Sequence, residues 1–275
     1  MSDDDDFARL LAESADRGQG QDAPAHTTAR LVGAGVVVTA LVGIAVIAAG
    51  LGLGGLRPPP EVQAAPTRSP APVAEVAASE TPPPPRGITA LADPLWIESV
   101  SGRTGIPERP LSAYAGAALR LGEENPACGL GWNTLAAIGH VESEHGTIDR
   151  TALDIDGRAT PAVIGIALDG GAVEAIRDTD DGALDGDPVW DRAVGPMQFI
   201  PATWAIFGSD GDGDGVADPQ QIDDAALTAA RYLCSVSHGS LADPDVWIAA
   251  VAAYNATTEY NNRVADAANH YATTG

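Results

Sequence analysis

The segment NTLAAIGHVESEHG, residues 133–146, decides the fold. Asn133 is a good N-cap and Gly146 a good C′ residue, so these two ends predict a helix between them. At about 100° per residue, Glu142 falls about 20° from Leu135 and about 40° from Ile138, whereas Glu144 falls about 180° from Leu135. One of two nearby glutamates is therefore aimed at the apolar interior or a cleft, and the other at solvent. Burial disfavours the charged form of a carboxyl and raises its pKa, which is what a general acid near neutral pH needs. The plainer reading is a glutamate at the edge of the apolar stripe, paired with Arg109 or Arg192. A zinc-protease reading of HVESEH fails. His140 and His145 are about 140° apart around the helix, and the zinc pattern needs His at i and i+4 with Glu directly after the first.

The same helical periodicity extends outward. AYAGAALRLGEE (113–124) is rich in Ala and Leu, and DDAALTAARYLC (223–234) and DVWIAAVAAYN (245–255) continue the pattern. Pro201 stands where the first residue of a helix would fall in IPATWAIFG. Strand signals are scarce, and TPAVIGIAL (160–168) is the best of them. The 151–194 stretch is Gly- and Asp-rich and weakly periodic, and loops of that length in a compact domain usually carry function. The fold class expected is mainly α, with a small β/loop insertion lining a cleft.

The 275 residues carry 38 acids and 15 basic residues, for a net charge of −23. That balance argues against a nucleic-acid binder, which gains affinity by neutralising phosphates. All the basic residues are Arg, so chemistry that needs a lysine is excluded. The charge divides the chain into four segments. Residues 1–30 form an acidic tail with Asp3–Asp6 at its start, and Leu31–Leu56 is uncharged and mostly apolar. As a helix the apolar run would span roughly 39 Å, more than a bilayer core requires, and it is too long for a signal-peptide core. A single transmembrane helix is expected, although Arg17 and Arg30 before it and Arg57 and Arg68 after it do not fix its orientation. Residues 57–87 form a Pro-rich linker, with PPP at 58–60 and PPPP at 82–85. Residues 88–275 form the remaining domain. Its two cysteines, Cys128 and Cys234, are expected to pair if the domain lies outside the cytoplasm.

AVGPMQFIPATW (193–204) joins a Gly-Pro turn to a Pro-started helix and carries Gln198 and Trp204. An amide and an indole beside a turn suit a sugar, because amides bond hydroxyls and N-acetyl groups and rings stack on pyranose faces. Trp132, Trp190 and Trp247 are further stacking candidates, each also suited to a core.

Three motifs in order carry a resemblance: ESxxG at Glu142–Gly146, GPMQFxPxTW at Gly195–Trp204 and AYN at Ala253–Asn255. Together they resemble the lytic murein transglycosylases, nearest the B type with a lysozyme-like SLT domain in a membrane-anchored bacterial form, over about residues 95–272. The resemblance implies a peptidoglycan substrate and a single catalytic carboxyl, Glu142. Glu142 would protonate the glycosidic oxygen between N-acetylmuramic acid and N-acetylglucosamine, then take the proton of the muramoyl C6 hydroxyl as that oxygen closes on C1 to a 1,6-anhydro end. By the same resemblance Ser143 supports that carboxyl or an acetamido group, Met197 lines the groove, Gln198 bonds the sugars, and Tyr254 and Asn255 position Glu142 or the saccharide. No cofactor is implied for catalysis. A second carboxylate from Asp156, Asp180, Asp185 or Asp191 would instead allow a hydrolytic muramidase, and a non-catalytic wall-binding or scaffold module is the reading from another class. A wall substrate places residues 1–30 in the cytoplasm and the domain outside, where cell-wall machinery would be its neighbour.

SDGDGDGVADPQQIDDAA places Asp210, Asp212 and Asp214 at positions 1, 3 and 5 of an EF-hand-type loop, with Gly215 at 6. Gln221 at position 12 breaks the standard pattern. The resemblance implies a longer loop closed by Asp224, so the expected structural Ca²⁺ ligands are Asp210, Asp212, Asp214, the Val216 carbonyl and Asp224, with Asp218 as an alternative or water-mediated one.

Overall fold

The computed structural model describes residues 87–171 and 173–275. The tail, apolar span and linker expected over residues 1–87 lie outside the described residues, Gly87 apart. Among the described residues no helix is long and apolar enough to cross a membrane.

The described domain is mainly helical. A short 3-10 helix, Ile88–Leu91, precedes α1 (Pro94–Thr104), α2 (Glu108–Glu124) and α3 (Trp132–Ser143). After the insertion come α4 (Pro201–Phe207), α5 (Ile222–Val236), α6 (Pro244–Tyr254) and α7 (Thr258–Thr274). Helix α3 is buried along its first eight residues on every side, as expected of a helix apolar all round. It packs against α2 and α7, and the Asn133 amide donates to the Ala268 carbonyl at 3.2 Å. Gly139 permits the contact with α2, since a Cβ there would overlap the Tyr114 hydroxyl.

The expected bounds of α3 need correction. Its N-cap is Gly131 rather than Asn133, which is buried inside the helix, and it ends at Ser143, three residues before Gly146. Glu144 and His145 both take left-handed backbone (φ 52° and 63°), ahead of Gly146 at 80°. For non-glycine residues that conformation costs on the order of 1–3 kcal/mol each and needs compensation. His145 supplies it: the ring is buried, with Nδ1 at 3.3 Å from the Tyr114 hydroxyl and Nε2 at 3.1 Å from that of Tyr271. Burial pushes this imidazole down to about 3, so it stays neutral.

Helices α2, α4, α5 and α6 stand where the periodicity places them, with Pro201 as the first residue of α4. The expected strand segment splits between β2 (Ala159–Thr160) and β3 (Ile164–Ala167). β1 (Ala152–Leu153) pairs antiparallel with β2, and β3 pairs antiparallel with β4 (Arg192–Val194), Ile164 opposite Val194. Cys128 and Cys234 form a disulfide, Cα to Cα 5.5 Å, tying the approach to α3 to the end of α5. In the chain-entropy view, closing a loop of this length contributes about 4–5 kcal/mol.

Candidate active site

Because α3 stops at Ser143, Glu142 occupies its last turn, half-buried, facing α7. Tyr260, in the first turn of α7, donates its hydroxyl to Glu142 Oε1 at 2.6 Å. Burial pushes the carboxyl up to about 7, against the opposing pull of the Tyr260 hydrogen bond and the Arg263 charge. Arg109 and Arg192, the expected partners, are engaged elsewhere: Arg109 with Asp223 at 2.6 Å and Arg192 with Asp187 at 2.9 Å. Glu144 is exposed. The two glutamates are divided as the helical wheel predicts.

The GPMQ turn approaches the same helix end. Val194 and Phe199 exchange backbone hydrogen bonds of 2.8 and 3.0 Å around it. Gly195 (φ 78°) is required there, since a Cβ would collide with the Pro219 carbonyl. Ser143 Oγ donates to the Pro196 carbonyl at 2.6 Å and accepts from the Gly146 amide at 2.8 Å. Tyr254, at the end of α6, donates its hydroxyl to the Met197 carbonyl at 2.7 Å. All three motifs thus meet: Ser143 ties α3 to the turn, Tyr254 ties the turn to α6, and Tyr260 ties α7 to Glu142.

This geometry reassigns several expected contacts. Ser143 is buried and spent on the turn and its own helix end, so its hydroxyl does not reach Glu142. Met197 is buried beneath the turn, and Gln198, also buried and held at φ 50°, donates its amide to the Gly195 carbonyl at 2.9 Å. Gln198 and Tyr254 line a narrow pocket with Phe199 and Tyr232. Asn255 is buried and accepts from the Thr257 amide and hydroxyl, both at 3.0 Å, which shapes the α6–α7 turn that delivers Tyr260. Trp204 packs on Phe199, ring centroids 5.6 Å apart, and supports the turn from behind rather than offering a face. Trp132 and Trp247 are core residues, and Trp190 lies under the Arg177 guanidinium at 4.0 Å.

Sequence reasoning missed Tyr260 and Arg263. They lie three apart on α7, but nothing local to TEYNNR says that this face meets a glutamate 118 residues away. A cavity of about 340 Å³ between α3 and α7 is lined by Arg263 with His140 and His270. A larger one, about 980 Å³, involves Arg109, Asp154, Arg158 and Asp212 and does not include Glu142.

The acidic loop follows α4. Asp210, Asp212 and Asp224 each bring a carboxylate oxygen within 4.8 Å of the others, while Asp214 and Asp218 stand outside this group. Asp224 is buried and accepts from the amides of Gly211 (2.6 Å), Asp212 (3.2 Å) and Asp218 (2.8 Å). Burial pushes its carboxyl up to about 7, the amides pull it down, and the Asp212 and Asp210 charges push it up further. Asp214 Oδ1 accepts from the Val216 amide at 2.7 Å, and Asp218 pairs with Arg158. The Ile88 amide donates to the Gly211 carbonyl at 2.8 Å, tying the first described residues to this loop.

Fold and site together define a mainly helical domain with a half-buried glutamate, Glu142, whose carboxyl is pushed up to about 7. Residues 174–269 match the family model described as "Transglycosylase SLT domain". The match takes in the GPMQF and AYN motifs, the acidic loop and most of α7, and begins after Glu142. No curated protein matches the chain. Among solved structures the chain is similar to SltB3 from Pseudomonas aeruginosa, in complex with NAG-anhNAM-pentapeptide, with 22% identity over 53% of this chain and a TM-score of 0.27. The chain spans 41% of that protein's chain.

Proposed function

We propose that this chain is a peptidoglycan lytic transglycosylase with Glu142 as its single acid and base. The observation that carries the reading is a carboxyl pushed up to about 7 by burial, with one hydroxyl donor, at the meeting point of the ESxxG, GPMQF and AYN motifs. The SLT-domain match over residues 174–269 supports it. With Tyr260 donating to Oε1, Oε2 is left to carry the proton. That proton passes to the glycosidic oxygen between N-acetylmuramic acid and N-acetylglucosamine as the bond from C1 breaks. The resulting carboxylate takes the proton of the C6 hydroxyl, whose oxygen bonds to C1. Glu142 ends as it began, protonated, and no water is consumed. The groups that act on Glu142 are the neutral Tyr260 hydroxyl and the Arg263 charge, and none of the aspartates considered as a second carboxylate is among them.

The loop at Asp210–Asp224 fits a structural Ca²⁺ in its donor chemistry, with hard carboxylate oxygens converging and no nitrogen or sulfur. Asp210, Asp212 and Asp224 would hold the ion, with Asp214, the Val216 carbonyl and Asp218 as further donors, and its chemistry would be to neutralise the loop. The apolar Leu31–Leu56 span is read as the membrane anchor that places this domain on the wall side.

Mass spectrometry of products from purified glycan strands tests the reaction. Anhydro ends, one water lighter than reducing ends, are expected. Reducing ends would mean a muramidase, and binding with no product would mean a non-catalytic module.

A further inference from the structure

The cavity of about 340 Å³ between α3 and α7 has no part in the chemistry assigned to Glu142, and it gathers cationic and donor groups in an acidic molecule. In a chain with 38 acids and 15 Arg, a guanidinium has carboxylates to choose from. The ion pairs of the described residues take up Arg109, Arg158, Arg192 and Arg231. Arg177 lies over Trp190, and Arg103 bonds Ser99 and the Thr274 carbonyl. Arg263 is exposed and, among the described residues, has neither a carboxylate nor a hydrogen-bond partner, although Asp266 follows it by one turn. A strongly acidic protein repels an anionic ligand at long range, so it can hold one only where a cation is left unspent.

Three donors converge on this cavity. Arg263 stands one turn beyond Tyr260 on α7, which puts its guanidinium at the end nearest Glu142, and its charge acts on Glu142, Tyr260 and His140. His140 contributes from the last turns of α3, and His270 from two turns further along α7. Burial holds the His140 imidazole below its ordinary 6.5, and the charges of Arg263 and His270 hold it down further, with Glu144 pulling the other way. Arg263 thus supplies the charge and His140 an uncharged ring. A guanidinium suits a carboxylate, which it can meet with two parallel N–H bonds.

From Arg263 to His270 the cavity follows α7 for about 10 Å, at 1.5 Å per residue. It begins beside the acid and does not include it. A group that fills it must be attached near the scissile bond and reach away from it. The lactyl group of N-acetylmuramic acid is where that sugar carries a peptide, and three extended residues span about 10 Å. Asp266, in the same lining, disfavours a small free anion but can accept from a peptide amide.

We propose that this cavity binds the peptide carried by the muramoyl lactyl group, with Arg263 holding one of its carboxylates and His140 and His270 flanking it. The assignment rests on the peptidoglycan reading above, and it makes the protein selective for strands that still bear peptide.

Titration calorimetry on the full chain with three soluble probes tests it. One is a GlcNAc–MurNAc disaccharide bearing a peptide with free carboxylates, the second is the same compound with those carboxylates amidated, and the third is the disaccharide without peptide, its lactyl carboxylate free. The first should bind roughly tenfold or more tighter than the other two, the scale of a charge-assisted pair. Arg263→Gln, at an exposed position and with circular dichroism unchanged, should bring it down to the level of the amidated probe. Arg263→Lys, which keeps the charge and loses the fork, should restore part of the difference. Equal binding of the free and amidated peptides, or a difference that Arg263→Gln leaves intact, overturns the site. Peptide-free disaccharide binding as tightly as the acid peptide would give Arg263 to the lactyl carboxylate and overturn the peptide assignment. Anhydro products without the preference keep the reaction and overturn this site, whereas the preference without any cleavage keeps the site and overturns the reaction. Neither binding nor product overturns both.

Discussion

Glu142 and Asp224 are both carboxyls that burial pushes up to about 7, yet their surroundings differ in kind. Glu142 meets one neutral hydroxyl, from Tyr260, and the charge of Arg263. Asp224 accepts from three backbone amides and stands within reach of two further carboxylates. Amides arrayed on a carboxylate favour its anionic form, and neighbouring anions oppose it. A group built to be charged, yet crowded by like charge, is completed by a cation. One that is buried with a single donor is completed by a proton. On the proposed function the same raised pKa therefore belongs to a cation ligand in one loop and to an acid in the other, and the partners distinguish them.

The comparison breaks most sharply at Glu142→Gln. Muropeptide release should fall roughly 10²–10⁴-fold, the range that general acid–base groups supply, with circular dichroism unchanged. The linkage sign is definite. The folded value, about 7, lies above the ordinary 4.5. The folded state therefore binds this proton more tightly, and the associated stability is present below about 4.5 and lost as pH rises through about 7. Melting curves at pH 5 and pH 8 should show the wild type losing more stability than Glu142→Gln across that interval. An active variant would end the assignment of Glu142 as the acid.

For Asp224 the matching perturbation is removal of metal. At free Ca²⁺ 100-fold above Kd, binding to the folded state alone contributes about 2.7 kcal/mol, so chelation should lower Tm by several degrees. Asp224→Asn should remove the part of the response that this loop supplies, whereas Glu142→Gln should retain it in full. A chelator shift that Asp224→Asn leaves unchanged would move the calcium elsewhere in the chain.

Much of this contrast was legible in the sequence, because it rests on local periodicity. The helical wheel separated Glu142 from Glu144, and the alternation of Asp and Gly marked the loop. What was illegible is set by distant contacts. Helix α3 stops at Ser143 because His145 is drawn into the core by Tyr114 and Tyr271, 31 and 126 residues away. Trp204 reads as a sugar platform from its neighbours in sequence, but Phe199 and the core claim it. The Tyr260 hydroxyl, which donates to Glu142, sits in a segment with no motif, and only the packing of α7 on α3 brings it there.

Tyr260→Phe tests that missed partner at smaller cost. The Tyr260 hydrogen bond lowers the pKa of Glu142, so its loss raises it. The alkaline limb of the activity profile, where the acid deprotonates, should move to higher pH. Maximal activity should fall about tenfold, the scale of one hydrogen bond to a charging group. A purely structural role would lower Tm and leave the position of the limb unchanged.

The smallest expected effect comes from Glu144→Gln, two residues from the acid. Glu144 is exposed and serves as the left-handed C-cap of α3 through its backbone, whose amide donates to the His140 carbonyl at 3.0 Å. Its carboxylate contributes only charge, felt by His140, whose imidazole is held down chiefly by burial. Glutamine keeps the shape and removes the charge, so stability should change by less than about 0.5 kcal/mol and activity by less than about twofold. A loss comparable to that of Glu142→Gln would mean that the helix end turns in the substrate complex to present the other glutamate. Both carboxyls would then have to be counted, and the two-carboxylate hydrolytic scheme would return. Near-equality with wild type leaves Glu142 as the only acid that this helix directs inward.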